Sequence, residues 1–341
     1  MPDEPDMSFD IGEPAADAEP LTNERVPADP EAPPAGRTFD VDVEASRRAL
    51  ADIERTPGVA KPDPILTADN VMRTFGGLTA VDVQHLEVQR GVITALIGPN
   101  GAGKTTLFNL LTCFDQPDSG SWAFNGRPLK RVPAYKVSRI GMVRTFQLTK
   151  VLSKLTVIEN MRVGAQKQKG ESLFAAMFAP LWRSQEKHNT ARADSLLARF
   201  LLDKKREDFA GSLSGGQRKL LEMARSLMTD PELVMLDEPM AGVNPALKQS
   251  LLGHVKSLRD EGRTVLFVEH DMDMVRDISD WVIVMAQGKI VAEGPPDAVM
   301  ADPAVIDAYL GAHHDTELTF EQENKILAEA EAEIRAEGED Q

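Results

Sequence analysis

The sequence predicts an α/β fold: a mostly parallel sheet, interrupted by an all-helical subdomain and flanked by disordered acidic tails. Three observations carry this. Short, apolar strand-like runs (Val92–Ile97, Leu233–Leu236, Thr264–Val268, Trp281–Met285) alternate with amphipathic helical stretches, the pattern of strands covered on both faces. Between about Thr149 and Thr229 no such run occurs and the pattern reads as helix throughout. The net charge of −16 over 341 residues is concentrated at the ends: residues 1–36 carry ten acids and one base, and residues 315–341 carry ten acids and two bases. The remainder is nearly neutral, so the acidity belongs to the tails.

Taken in order, residues 1–36 are rich in Pro, Ala, Asp and Glu without an apolar face, a composition that cannot offset the cost of ordering. Val43–Thr56 offers a short helix whose stripe of Ala45, Ala49, Leu50 and Ile53 is weak. The folded domain is therefore expected over 63–311, with 1–62 a mostly disordered extension and a helical subdomain at about 149–229. Residues 312–341 read as a tail or a marginal helix, with Thr319 and Gln322 at capping-box spacing and Phe320, Leu327 and Ile334 seven residues apart. A single cysteine, Cys113, excludes an internal disulfide framework and reads as a small buried residue. No apolar run approaches the ~18 residues of a membrane span, and the acidic N-terminus is unlike a secretory leader. A cytoplasmic protein is expected, serving any membrane process through partner chains.

The chemistry begins at Gly98-Pro99-Asn100-Gly101-Ala102-Gly103-Lys104-Thr105, which follows an apolar strand and opens a helical pattern at Leu107, Leu110 and Leu111. This is the strand–loop–helix setting of a phosphate-binding P-loop. Its glycines let backbone N–H groups turn inward, and the helix N-terminus adds partial positive charge. Lys104 is placed for the β- and γ-phosphates, Thr105 for Mg²⁺, and Thr106 lies next in the nucleotide-binding set. Leu233–Leu236 followed by Asp237 and Glu238 forms a buried strand ending in two carboxylates, where ligands bind in open parallel sheets. Asp237 would hold the Mg²⁺ shell and Glu238 would polarise the attacking water.

The discriminating motif is Leu213-Ser214-Gly215-Gly216-Gln217, followed by a helix with Leu220, Leu221, Ala224, Leu227 and Met228 on one face and a stop at Asp230-Pro231. With this segment the sequence resembles an ABC-type ATPase. The resemblance implies a RecA-like P-loop NTPase core, an N-terminal antiparallel β part and the inserted helical subdomain. It implies ATP and Mg²⁺ as ligands, and a second ATPase subunit, sister or self, whose nucleotide meets Ser214, Gly215, Gly216 and Gln217. It further implies that Phe75 stacks on adenine, that Gln147 senses Mg²⁺ and the attacking water, and that His270 contacts the γ-phosphate. Asn244 stands where many relatives carry Asp.

A narrower resemblance lies in Arg144–Gln147, Leu155–Asn160, Ala241–Pro245, Glu269–Met272 and Ala308–Gly311. These segments are similar to the LivG-type ATPases of branched-chain amino acid importers, and the similarity covers residues 66–311. It implies transmembrane permease subunits, an extracytoplasmic solute-binding protein acting indirectly, and a position on the inner face of the membrane. An exporter ATPase for lipid or lipopolysaccharide shares the catalytic motifs. An ATPase acting on nucleic acid or the ribosome fits less well, because the chain has one cassette, no long coiled coil and no basic stripe, so no nucleic-acid partner is expected. Phe174, Phe178 and Trp182, at i, i+4 and i+8, form either packing within the helical subdomain or a patch for the membrane subunits.

Overall fold

All four apolar runs become central strands. The computed structural model describes residues 39–145, 151–166 and 179–314. Strands β3 (Ile93–Ile97), β7 (Leu233–Asp237), β8 (Thr264–Val268) and β9 (Trp281–Ala286) lie in a six-stranded sheet. The edges are β6 (Met142–Arg144) and β10 (Lys289–Gly294), and the order is β10-β9-β3-β8-β7-β6. Every pairing is parallel except the hairpin of β9 and β10.

These strands lack polar alternation because successive residues enter two different cores. Ile93, Ala95 and Ile97 of β3, with Val234, Leu236, Val265 and Phe267, face the helices. Leu96, Leu233, Met235, Leu266, Val268 and Ile283 enter the other core, shared with the helix Lys104–Leu111 and the second sheet. Both faces are dry, which is why the sequence shows unbroken apolar runs.

The second sheet is the antiparallel part: β1 (Pro64–Phe75), β2 (Leu78–Gln89), β4 (Ser119–Phe124) and β5 (Arg127–Pro128), in the order β2-β1-β4-β5. Its long hairpin closes through Gly76 (φ 54°) and Gly77 (φ 89°), two left-handed positions that a mirror-image turn requires.

Between β6 and β7 the described residues form helices and turns and no strand. Thr156 and Glu159 make a reciprocal capping box that starts helix Val157–Val163. The fully buried Asn160 accepts from Leu152 N–H (2.9 Å) and donates to the carbonyls of Leu152 (3.0 Å) and Thr156 (2.9 Å). The motif Leu155–Asn160 thus fixes how the chain enters the helical region. The helix Gly215–Ser226 buries Leu220, Leu221, Met223 and Ala224 and ends in a 3₁₀ turn before Asp230, matching the expected stripe and stop. Among the described residues no helix is long and apolar enough to cross a membrane.

The domain takes in residues before 63. Helix Val43–Ala51 is capped by Asp42, whose carboxylate accepts from Ala45 N–H (2.9 Å), and it buries Leu50 against the antiparallel sheet. Lys61 pairs with Glu293 of β10 at 2.8 Å, the two side chains being 1% and 2% exposed. Glu293 also accepts from Trp281 Nε1 (2.9 Å) and Val59 N–H (2.8 Å). Residues 39–62 are therefore built into the domain. The weak stripe concealed this, because Leu50 is the helix's one buried residue and two long-range ion pairs, Arg47–Asp280 (2.8 Å) and Lys61–Glu293, help hold the segment.

Candidate nucleotide site

The P-loop sits where β3 ends and helix Lys104–Leu111 begins. Gly98 (φ 150°) and Gly103 (φ 97°) are irreplaceable on two counts: a Cβ at Gly98 would lie 2.1 Å from Met285 O, and at Gly103 2.2 Å from Ala80 O. Gly101 (φ 79°) faces open space, so backbone conformation alone selects it. Gly288 N–H donates to Ala102 O (3.0 Å), so the back of the loop rests on β2 and on the β9–β10 turn. Asn100, Gly101 and Thr105 are exposed and Pro99 and Thr106 partly so, while Gly98 and Ala102 are buried. Lys104 Nζ donates to the carbonyls of Gly98 (2.8 Å) and Pro99 (2.9 Å), which places its charge inside the loop. Burial pulls its pKa below the ordinary lysine value, and the Glu238 and Asp237 carboxylates oppose that shift.

Asp237 is the last residue of β7 and is buried; Glu238 follows with φ 45°, a left-handed conformation that turns its side chain out of the strand line. Asp237 Oδ2 accepts from Arg144 Nη2 at 2.7 Å, with both side chains 4% exposed. Arg144 also donates to Asn109 Oδ1 (2.6 Å) of the P-loop helix, and its guanidinium lies over Phe108 and Phe114. Arg144 was visible in the sequence only as part of a family motif; its role as partner of Asp237 depends on β6 lying beside β7. Among the described residues no three His, Cys, Asp or Glu side chains are grouped to hold a metal. One carboxylate and the Thr105 hydroxyl, completed by nucleotide phosphates and water, are what Mg²⁺ needs.

His270 is exposed just past β8, on the cap of helix Met272–Ile278, which Asp271 begins. The preceding Glu269 is buried and accepts from Met240 N–H (3.0 Å) and His270 N–H (3.3 Å). Burial pushes its carboxyl upward, while those two amides pull it back. Phe75 is half-exposed at the tip of the antiparallel hairpin, its ring 4.7 Å from the Arg73 guanidinium.

Ser214 caps helix Gly215–Ser226: its hydroxyl accepts from Gln217 N–H (3.3 Å) and Gln217 Oε1 accepts from Ser214 N–H (3.0 Å). Ser214 and Gly215 are exposed, and no hydrogen bond among the described residues joins this cap to the P-loop. A Cβ at Gly216 would lie 2.0 Å from Leu247 Cδ2, the end of a side chain of helix Pro245–Asp260, so the two helices approach closely there. Asn244 caps helix Pro245–Asp260 by accepting from Leu247 N–H (2.9 Å), a task Asp and Asn perform equally.

The structure thus joins Lys104, Asp237 and Glu238 electrostatically, sets His270 beside Glu269, and leaves Ser214–Gln217 as a separate surface. Gln147, Phe174 and Phe178 lie outside the described residues; Trp182 is partly buried. Cys113 is buried, its thiol pushed up by burial.

With this geometry the comparisons with known proteins agree. The chain belongs to the ABC transporter ATP-binding family, and it is an ATPase. The ABC transporter profile matches residues 81–241, and that of the branched-chain amino acid ATP-binding cassette transporter matches residues 289–315. The probable branched-chain amino acid transport ATP-binding protein LivG of Archaeoglobus fulgidus is 40% identical over 254 residues, covering 74% of this chain and 98% of its own. The high-affinity branched-chain amino acid transport ATP-binding protein BraF of Pseudomonas aeruginosa is 40% identical over 250 residues, 73% and 98% of the two chains. Among solved structures, a nucleotide-free ATP-binding cassette from an ABC transporter superposes with a TM-score of 0.63 at 36% identity, covering 72% of this chain and 98% of that one. The ADP conformation of an ATP-binding cassette gives 0.63 and 36%, with 73% and 99% covered.

Proposed function

We propose that this chain is the ATP-binding subunit of an importer for branched-chain amino acids, peripheral on the inner face of the membrane, working with permease subunits and a second ATPase subunit. The observation that carries the dimer is the separation of the two halves of the site: Lys104, Asp237 and Glu238 converge, while the Ser214 cap is exposed and, among the described residues, its side-chain hydrogen bonds stay within the cap. A helix N-terminus so presented suits the γ-phosphate of a nucleotide held by another subunit. Phe75 supports adenine, the P-loop amides and Lys104 hold the β- and γ-phosphates, and Glu238 takes the proton of the attacking water. His270 and Gln147 orient the γ-phosphate end. Thr105 and Asp237, with Gln147, would hold Mg²⁺, which when bound neutralises charge on the phosphate oxygens.

A groove of about 590 Å³ supports the permease reading. It runs between the end of the P-loop helix (Thr112, Phe114), the short helix Ala134–Val137, edge strand β6 and the helical region at Gly164 and Arg225. Residues 149–229, read as one subdomain, would transmit closure through this junction to a docked permease segment.

Deleting the gene and measuring uptake of labelled leucine tests the solute: loss of leucine uptake is expected, and intact leucine uptake with lost urea uptake would move the chain to a sister system. Glu238→Gln is expected to retain ATP binding and lose about 10²- to 10⁴-fold in turnover. Turnover within twofold of wild type would remove Glu238 from the role of base. Lys104→Ala should weaken ATP binding, and unchanged affinity would contradict the phosphate assignment.

A further inference from the structure

We infer that Lys219 and Glu269 are positioning residues that hold Glu238 and His270 in register and make that register depend on the seating of the helix that Ser214 caps. This rests on the reading of Glu238 as the base.

Lys219 lies in helix Gly215–Ser226, half a turn beyond Gln217, and its ammonium donates to the main-chain carbonyl of Glu238 at 3.0 Å. That carbonyl also accepts from Ala241 N–H (3.2 Å), and Glu238 N–H donates to Val268 O (3.1 Å). The peptide groups of Glu238 are thus held from three directions: by β8, by the turn that follows it, and by a lysine from the helical region. Glu238 needs such support, because a non-glycine residue at φ 45° occupies a sparsely populated conformation that persists only where surroundings enforce it.

Glu269 supplies the second tie. Its carboxylate spans Met240 N–H, two residues beyond the base, and the N–H of His270, whose Nδ1 lies 3.7 Å away. One buried side chain therefore locks the loop carrying Glu238 to the loop carrying His270. The carboxylates of Glu269, Glu222 and Glu238 surround Lys219 and oppose the downward pull that burial exerts on its pKa.

The consequence is mechanical. The Ser214 cap and Lys219 ride on one rigid helix, so a nucleotide engaging Ser214 across a dimer acts on Glu238 through a single contact of 3.0 Å. Such a contact is lost once the helix moves by about an ångström. The base is then in place only when the helical region is seated, which couples hydrolysis to subunit pairing within this chain.

The test uses the full-length chain assembled with its permease and second ATPase subunits, carrying Lys219→Met, Lys219→Arg, Glu269→Gln and, in parallel, Glu238→Gln. Mg²⁺-dependent phosphate release is followed against ATP concentration, and amide exchange is measured in peptides covering 236–243, 268–272 and the P-loop. Lys219→Met should lower kcat about 10- to 100-fold, equivalent to about 1.4–2.7 kcal/mol, with KM for ATP and the melting temperature nearly unchanged. Lys219→Arg should restore most of the rate. Exchange should quicken in 236–243 in the Met variant, and in both 236–243 and 268–272 in Glu269→Gln, but not in the P-loop peptide. Should Lys219→Met melt early, Lys219→Ala, which removes the donor without adding bulk, replaces it in both assays. The inference is overturned if Lys219→Met keeps wild-type kcat and exchange while Glu238→Gln is inactive, or if Met and Arg fall alike. Full turnover in Glu238→Gln would instead overturn the assignment of the base.

Discussion

Replacing Glu293 by Ala removes one carboxylate and strands three donors: the Lys61 ammonium, the Trp281 indole N–H and the Val59 N–H. Among the described residues Lys61 then keeps one hydrogen bond, to the Val59 carbonyl at 2.7 Å, and its position over the Trp281 ring, and its side chain is only 1% exposed. Breaking a buried ion pair by removing one partner costs about 3–5 kcal/mol, because the remaining charge stays desolvated. A loss near 4 kcal/mol is expected, and for a domain of this size it lowers the melting temperature by about 10 °C. The assay is urea unfolding followed by fluorescence, for which Trp281 sits 5.0 Å from the lysine Nζ and reports directly. Converting both partners to apolar residues, Lys61→Met with Glu293→Leu, should recover at least half of the loss, since well-packed apolar pairs replace buried ion pairs at little net cost. A loss below about 1 kcal/mol in Glu293→Ala would refute the reasoning and detach residues 59–61 from the core.

Gly98→Ala places a methyl 2.1 Å from Met285 O and should abolish measurable ATP binding by equilibrium titration, whereas Gly253→Ala, in helix Pro245–Asp260 with nothing within 4 Å, should bind as wild type. His254 stacks on Phe200 (ring centroids 4.3 Å apart), and burial, aided by Arg199, lowers its pKa from 6.5 to about 4. A histidine depressed in the folded state binds its proton more tightly once unfolded. Its stabilising contribution is therefore complete above pH 6.5 and lost as the pH falls towards 4. His254→Phe should flatten the stability–pH curve in that window, measured by urea unfolding at each pH; an unchanged slope would contradict this. Asn244→Asp should leave stability within about 0.5 kcal/mol, and Asn244→Ala should cost about 1 kcal/mol, because only Ala removes the cap on Leu247 N–H.

The central strands were legible because, apart from the buried Thr94, Asp237 and Thr264, each is apolar throughout, a consequence of lying between two cores. Strand β6 was not, since three residues carry no period, and the antiparallel sheet came only through family resemblance. In β1 the pairing slips between Asp69 and Met72, and Asn70 takes φ 50°, so its alternation is broken where a pattern would be sought. Helix Val43–Ala51 was legible as a helix but not as part of the domain. At the site, the glycines, Lys104, Asp237 and Glu238 announced themselves through local spacing. Arg144, Lys219 and Glu269 did not, because each acts on a residue at least 29 positions away, or, for Lys219, on a main-chain carbonyl that no motif encodes.

The wall behind the phosphate loop is assembled from Ala80, Met285 and Gly288, which come from opposite ends of the domain. Grafting the loop and its helix onto a relative's scaffold would transplant the ligand-facing amides without the surface that shapes them. Nucleotide affinity in such chimeras should track whether the first hairpin and the β9–β10 turn travel together with the graft. Drift at any one of these three places constrains what the other two can tolerate.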